Sequence, residues 1–410
     1  MNTNTHQPRS NIQLLFDAAR MRALHEQGRY KESLDISLQI TRAYPGVMDG
    51  WNGVAANYIR FGRWQEAIRY AHAGLARGEN IFGYDTLAFA HGILGQWDET
   101  RRYGLLALNM RVRQNNGEPI IPWTGPGVMP PPPSSQTRER NVIVFSLFGG
   151  NSKYCEPAVL NVQEQPSIYP NWVCRFYVDA SVPESVINRL RAGGAQIIFV
   201  EEPAAQWPGP MWRLLALDDP QMHRILFRDA DSVISRYEAA AVEQWLASGK
   251  RFHMMRDWYS HTELMLAGLW GVVAGSLPPL DKLIQRFMSK PLESRHFADQ
   301  FFLRQYVWPY ARASLMQHDS VFGFMNAALF PSDERPEGFH VGCIESLPVF
   351  TLKTDLPDGS EVTWGLFQIQ KLDDGQIQEK LICAYPGTVK DGIVKAHIPV
   401  RYVRWLKQGT

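Results

Sequence analysis

The stretch Arg224-Ile-Leu-Phe-Arg-Asp-Ala-Asp-Ser232 decides how this chain is read. Ile225, Leu226 and Phe227 form a short apolar run that ends abruptly in charge, the pattern of a buried strand emerging at the edge of an α/β sheet. Asp229 and Asp231 stand two apart, so in extended chain they project to one side with α-carbons roughly 6.5 Å apart. Two hard carboxylates at a strand's carboxyl end suit a divalent ion whose other ligands are waters and phosphate oxygens. A turn or helix cap accounts for the same tripeptide, and spacing alone leaves both readings standing. Helix-like segments on either side, and a second apolar strand at 251–255, favour the sheet edge.

At 410 residues there is room for two or three domains with cores of their own. Hydrophobic residues at 45% and aromatics at 12% describe a folded chain. A net charge of +1 offers no field for nucleic acid or a membrane surface. Cys155, Cys174, Cys343 and Cys383 include no C-x-x-C pair and no histidine clustering, so they read as reduced thiols, not disulfides or a zinc site. No signal-peptide pattern and no apolar run of membrane-spanning length is found, and the expectation is a cytoplasmic protein.

The first part of the chain repeats itself. Gly28-Arg-Tyr30-Lys-Glu32-Ser33, Gly62-Arg-Trp64-Gln-Glu66-Ala67 and Gly95-Gln-Trp97-Asp-Glu99-Thr100 align, with their glycines 34 and 33 residues apart. Each lies between helix-like stretches, for example 51–61 and 65–76 around Gly62. The glycine closes one helix, the aromatic enters the hairpin, and the Glu opens the next helix near its positive end. Pro45 falls where one repeat hands over to the next. This resembles the tetratricopeptide family, with Ala55, Ala56 and Ala71 as small residues where helices cross. The resemblance implies a concave surface for a peptide or protein; a structural cap or a dimerisation arm is the other account.

Residues 113–140 include Pro122-Trp-Thr-Gly-Pro-Gly-Val-Met-Pro-Pro-Pro-Pro-Ser-Ser135, which reads as a semi-rigid linker. Beyond it, apolar runs at 141–148, 172–178 and 196–200 alternate with helix-like stretches at 182–192 and 210–217. That order indicates an open, mostly parallel sheet binding its ligand at the strands' carboxyl ends. No G-x-G-x-x-G and no Walker loop follows the first strand, which disfavours a Rossmann dehydrogenase and a P-loop ATPase.

Taken in order, Phe227-Arg-Asp-Ala-Asp-Ser232, Phe252-His-Met-Met-Arg-Asp257, Leu266-Ala-Gly-Leu-Trp-Gly271, Asp299-Gln-Phe-Phe-Leu303 and His318-Asp-Ser320 resemble a bacterial GT-A-fold glycosyltransferase with a DXD motif. The resemblance implies that Asp229 and Asp231, with His318 as a late ligand, hold Mn2+ or Mg2+ against the diphosphate of a UDP- or GDP-sugar. It places Phe145 and Leu147 beside the base, Arg213 and Arg228 near the donor, and Gly268 and Gly271 in the donor-sugar loop. Asp299, Gln300 and Asp257 become the catalytic candidates, with His261 near donor or acceptor. Bland accounts stay open for each: core for Phe145 and Leu147, a salt bridge for Arg213, tight packing for the glycines, an N-cap for Asp299, a surface or capping role for His318.

The fold expected is therefore α/β: a tetratricopeptide solenoid at 1–112, the linker at 113–140, a GT-A-like sheet flanked by helices at 141–335, and a small β-rich appendage at 336–410. The appendage is read from alternating stretches at 361–370 and 380–384 and from turn signals at Pro357-Asp358-Gly359 and Asp373-Asp374-Gly375. The expected function is metal-dependent transfer of a hexose to an acceptor hydroxyl, in surface-polysaccharide or glycoconjugate synthesis. The acceptor is a glycan, or a protein or peptide docked on the repeats, and self-assembly is left open. The rivals are a scaffold with a non-catalytic transferase-like domain and a metal-dependent phosphohydrolase, which would need further acids and histidines near Asp229.

Overall fold

The computed structural model describes residues 11–402 apart from 293, 333–334, 336–337, 347–348 and 372–375, so the turn expected at Asp373-Asp374-Gly375 lies outside the described residues. Contacts divide the chain into two compact units. One holds Met1–Asn116 with Arg256–Leu264 and Asp319–Leu329; the other holds Gly117–Met255, Met265–His318 and Phe330–Thr410.

The first unit is helical: α1 (Asn11–Glu26), α2 (Tyr30–Ala43), α3 (Met48–Arg60), α4 (Trp64–Leu75), α5 (Ile81–Ile93) and α6 (Trp97–Gln114). Each helix packs on the next, and α3 also touches α1 and α5. The repeated glycines make the same turn three times. Gly28, Gly62 and Gly95 have φ of 75°, 68° and 70°. The N–H of the following residue reaches back five positions each time: Arg29 to Leu24, Arg63 to Tyr58, Gln96 to His91, at 2.9 Å in all three. This is a Schellman closure, in which a left-handed residue lets the chain satisfy the last carbonyls of a helix. The aromatics Tyr30, Trp64 and Trp97 then open α2, α4 and α6. Ala55 and Ala71 are fully buried between helices, beside Tyr84, Leu87 and Tyr103. The two later stretches of this unit are pinned inside it. Tyr259 sits edge-on to Phe89 at 5.1 Å, and Arg101 of α6 donates to the Val321 carbonyl at 3.1 Å.

The second unit is built on a seven-stranded, mostly parallel sheet. Its elements are β1 (Asn141–Leu147), α7 (Ser152–Ile168), β2 (Val173–Val178), α8 (Glu184–Ala192), β3 (Gln196–Phe199), a 3-10 segment (Gly209–Asp218), β4 (Arg224–Phe227), α9 (Arg236–Ala247), β5 (Phe252–Arg256), β6 (Trp270–Val273), α10 (Leu280–Met288), α11 (Ala298–Phe302) and β7 (Leu315–Asp319). The strand order is β3-β2-β1-β4-β6-β5-β7. β1 pairs in parallel with β2 on one side and β4 on the other. The chain therefore runs outward from β1 to β3, then returns to β1's opposite edge. Connections leave β1 and β4 in opposite senses, and in open α/β sheets such a reversal leaves a crevice at the strands' carboxyl ends. β6 is antiparallel to both β4 and β5, an insertion the sequence did not announce.

The proline-rich stretch differs from the expected linker. It lies along this unit, because prolines lack N–H groups but still present carbonyls. Arg224 donates to the carbonyls of Pro130 and Pro131, and Arg251 to those of Thr124 and Pro126. The tail forms two antiparallel pairs, β8 (Val349–Lys353) with β11 (Ile393–His397), and β9 (Glu361–Lys371) with β10 (Ile377–Thr388). It is not a separate appendage: Cys383 and Tyr385 lie in one core with Phe145, Cys155 and Val186. There the fully buried Glu156 of α7 takes a bidentate pair from Arg189 at 2.6 and 2.8 Å and hydroxyl donors from Tyr385 and Tyr402.

Gly62→Ala forces an L-residue into the left-handed region and should destabilise the protein by about 1 kcal/mol. The added methyl would meet only Trp64, at 3.6 Å, so the loss should come from backbone strain. Urea unfolding of Gly62→Ala beside Gly46→Ala, a glycine whose added methyl meets nothing and whose φ is not positive, checks this; equal losses would point away from the turn.

Candidate functional site

The sheet's reversal point carries the charge. β4 ends at Phe227, and the chain continues through Arg228 and Asp229 at the mouth of the crevice. Arg213, from the 3-10 segment, is almost fully buried and reaches across to it. One guanidinium nitrogen lies 2.7 Å from Asp229 Oδ1 and 2.6 Å from the Arg228 carbonyl; another lies 2.8 Å from Asp299 Oδ2. The Arg213 backbone is held by Ser146 of β1, whose hydroxyl accepts from its N–H at 3.0 Å. Asp231 pairs with Lys153 of α7, Nζ to Oδ2 at 3.3 Å. The loop before β6 closes over Asp229. A methyl on Gly268 would sit 2.1 Å from Asp229 Oδ2, so only glycine fits there. Gln300 fixes that loop, its amide donating to the Met265 carbonyl and accepting from Ala267 N–H at 3.1 Å.

Burial and the neighbouring Asp229 carboxylate raise Asp231 above its ordinary range, although Lys153 pulls it down. Burial likewise raises Asp299, against the pull of Arg213. Burial disfavours the Arg213 charge, and Asp229 with Asp299 more than offset it. Burial disfavours the Lys153 charge, and Asp231 with Tyr154 more than offset it, so Lys153 is raised as well. Both members of the Lys153–Asp231 pair thus shift upward, the Asp because burial and the Asp229 carboxylate outweigh the Lys. Two cations against three carboxylates leave the cluster at −1 when all are ionised.

Of the residues expected from sequence, the structure brings together Asp229, Asp231, Arg213, Asp299, Gly268 and Gln300. Others go elsewhere. Phe145 and Leu147 are core: Phe145 stacks on Phe176 at 4.7 Å, and both are buried. Phe148, one residue beyond β1, is the aromatic exposed at this strand end, at 42%, beside Trp212. Arg228 is buried against Glu238 of α9 at 2.8 Å and bonds to the Phe227 and Trp270 carbonyls. Gly271 is inside β6, paired with Leu226 and His253, where a methyl would meet Leu226 at 2.7 Å; tight packing explains it. His318 has both ring nitrogens engaged, Nδ1 with His253 Nε2 at 2.8 Å and Nε2 with Gln244 at 3.0 Å. It forms no ligand group with the aspartates, and among the described residues no cluster of three or more His, Cys, Asp or Glu is poised for a metal. Asp257 belongs to the first unit; Ser320 donates to its carboxylate, and its N–H donates to His261 Nδ1 at 3.0 Å. Lys153 and Phe148 were missed. Their signal was position, Phe148 directly after the first strand and Lys153 three residues past its Gly149-Gly150 turn.

No protein-family model matches the chain. No curated protein matches it either. Among solved structures, a mutant of the Thermobaculum terrenum O-GlcNAc transferase is similar at 18% identity and a TM-score of 0.29, over 46% of this chain and 36% of that one. This chain thus spans little more than a third of that structure's length, and a likeness at that score assigns no fold.

Arg213→Met leaves the Asp299 carboxylate buried without its partner and should cost about 3 kcal/mol or more. Adding Asp299→Asn should recover most of it; additive losses in urea unfolding would show that the two are not coupled. A second outcome concerns the histidine pair. Burial lowers His318 to about 4 and His253 well below its ordinary value. The fold therefore binds these protons less readily than the unfolded chain, so the pair's stabilisation is complete above about 6.5 and is lost as pH falls toward 4. From His318 alone that loss is up to about 3 kcal/mol. Urea midpoints at pH 7 and pH 4.5 should diverge, and His318→Gln should shrink the difference.

Proposed function

We propose that this chain is a metal-dependent glycosyltransferase of the GT-A type, moving a hexose from a nucleotide-diphosphate sugar to an acceptor hydroxyl. The observation that carries the reading is the Asp229/Asp231 pair at the carboxyl end of β4, where the sheet reverses beside β1. Asp229 Oδ2 and Asp231 would hold Mn2+ or Mg2+, with waters and phosphate oxygens completing the shell, as hard cations prefer. The residues fit that ion on charge. At −1 the cluster repels a diphosphate, and a dication turns it to +1. When bound, the ion neutralises charge on the nucleotide leaving group.

The rest of the site then has work to do. Arg213 holds Asp229 in place, and Asp299 holds Arg213, which makes Asp299 a positioning residue and not the base. Phe148 offers its exposed ring to the nucleotide base, the role the sequence had assigned to Phe145. Gly268 lets its loop lie against Asp229 without a side chain between them, and Gln300 fixes that loop. The helical unit is the proposed docking surface for a protein or peptide acceptor, in keeping with the tetratricopeptide resemblance. It has a cavity of about 340 Å³ lined by residues that include Arg22, His25, Asn52, Asn57 and Phe82.

A thermal-shift panel of UDP- and GDP-sugars with and without Mn2+ tests the reading. One donor should raise Tm only with the metal, and Asp231→Asn should abolish the shift while its unliganded Tm stays equal or rises, because the fold disfavours that carboxylate's charge. Phe148→Ala should weaken the donor about tenfold or more. A flat panel from folded protein favours the scaffold reading.

A further inference from the structure

The two cations of the site are held very differently. Arg213 is buried and answers two carboxylates and a carbonyl, so it cannot leave without stranding them. Lys153 makes one ion pair, to Asp231, and its side chain is 26% exposed on a flexible four-carbon stem. It is the second residue of α7, two after the Asn151 cap, whose side chain accepts from Lys153 N–H at 2.9 Å. Its ammonium also lies 4.8 Å from the Tyr154 ring and 3.5 Å from that hydroxyl, a second resting place beside the first. Asp231 is 17% exposed, so the space its ammonium partner fills is space an incoming ion needs.

We infer that Lys153 is a built-in counter-ion that guards Asp231 until a divalent cation displaces it, and that the freed ammonium then turns to the diphosphate of the donor. The inference rests on the proposed role of Asp229 and Asp231 as cation ligands. Without Lys153, Asp231 would stand beside Asp229 with no cation of its own. With it, the cation must compete for the carboxylate, and each cation that binds releases a positive charge toward the crevice. Cation and nucleotide binding are thereby coupled through one side chain.

Opposite signs identify the device. Lys153→Met should bind Mn2+ alone about two- to fivefold more tightly, by the worth of a partly exposed ion pair. The same variant, saturated with Mn2+, should bind UDP or GDP about tenfold more weakly. Lys153→Arg, whose fork grips a carboxylate better, should bind Mn2+ more weakly than the wild type, which keeps the test alive if Lys153→Met does not fold. Mn2+ affinity is read by electron paramagnetic resonance of the free ion and nucleotide affinity by calorimetry. Equal or weaker Mn2+ binding by Lys153→Met, with Asp231→Asn abolishing it, overturns this inference and leaves the cation site standing. Mn2+ binding that survives in Asp231→Asn, or is absent from the wild type, overturns the site itself.

Discussion

A guanidinium survives burial only where carboxylates and carbonyls answer it, and the candidate site is shaped by meeting that demand at Arg213. The residue sits on a short 3-10 segment with its backbone tied to β1, yet its fork spans the end of β4 and the start of α11. Three parts of the chain that are distant in sequence are therefore fixed to one plane of atoms. Asp229 gains a rigid orientation, one oxygen on the fork and the other against Gly268. Asp299 is held by the second nitrogen of the same fork. Pre-organisation of this sort is what a binding site for a multiply charged ligand needs, because ordering the site on binding would weaken it.

Much of this was legible in the residues. The apolar run of β4 read as a buried strand, and it is one; the two aspartates lie past its end in a turn, where Ser232 N–H donates to the Asp229 carbonyl at 3.3 Å. The Gly-aromatic-Glu phase at Gly28, Gly62 and Gly95 gave the helix breaks to within a residue, because left-handed closure is a local backbone event. What failed was facing. Arg228 stands next to Asp229 but turns to Glu238 on α9, and Phe145 is sealed inside β1 while Phe148, one residue past its end, is exposed. Short motifs carry no record of which side of a sheet a residue meets, nor of an antiparallel strand slipped between β4 and β5. Gly271 was misread for that reason. His318 was misplaced because its partners, His253 and Gln244, come from elements whose adjacency only the folded sheet creates.

The proline-rich stretch shows the same limit from another side. Its composition says semi-rigid, and stiffness alone suggests a spacer. Stiffness also makes a good splint. A chain that donates few hydrogen bonds still accepts them, and two arginines at the amino-terminal ends of β4 and β5 take up those carbonyls. Long side chains, not backbone pairing, bind it to the sheet.

Glu156 has a consequence for how the molecule comes into being. Its carboxylate, wholly enclosed, depends on hydroxyls from Tyr385 and Tyr402, the second of them 246 residues downstream. A chain that has not yet supplied those hydroxyls leaves the carboxylate to the Arg189 fork. The core around α7 is therefore complete only once the chain reaches Tyr402. The closures at Gly28, Gly62 and Gly95 need no such patience, since each is satisfied within five residues of chain. Helix ends in one unit close on their own neighbours in the chain; the carboxylate in the core of the other closes only across long stretches of sequence.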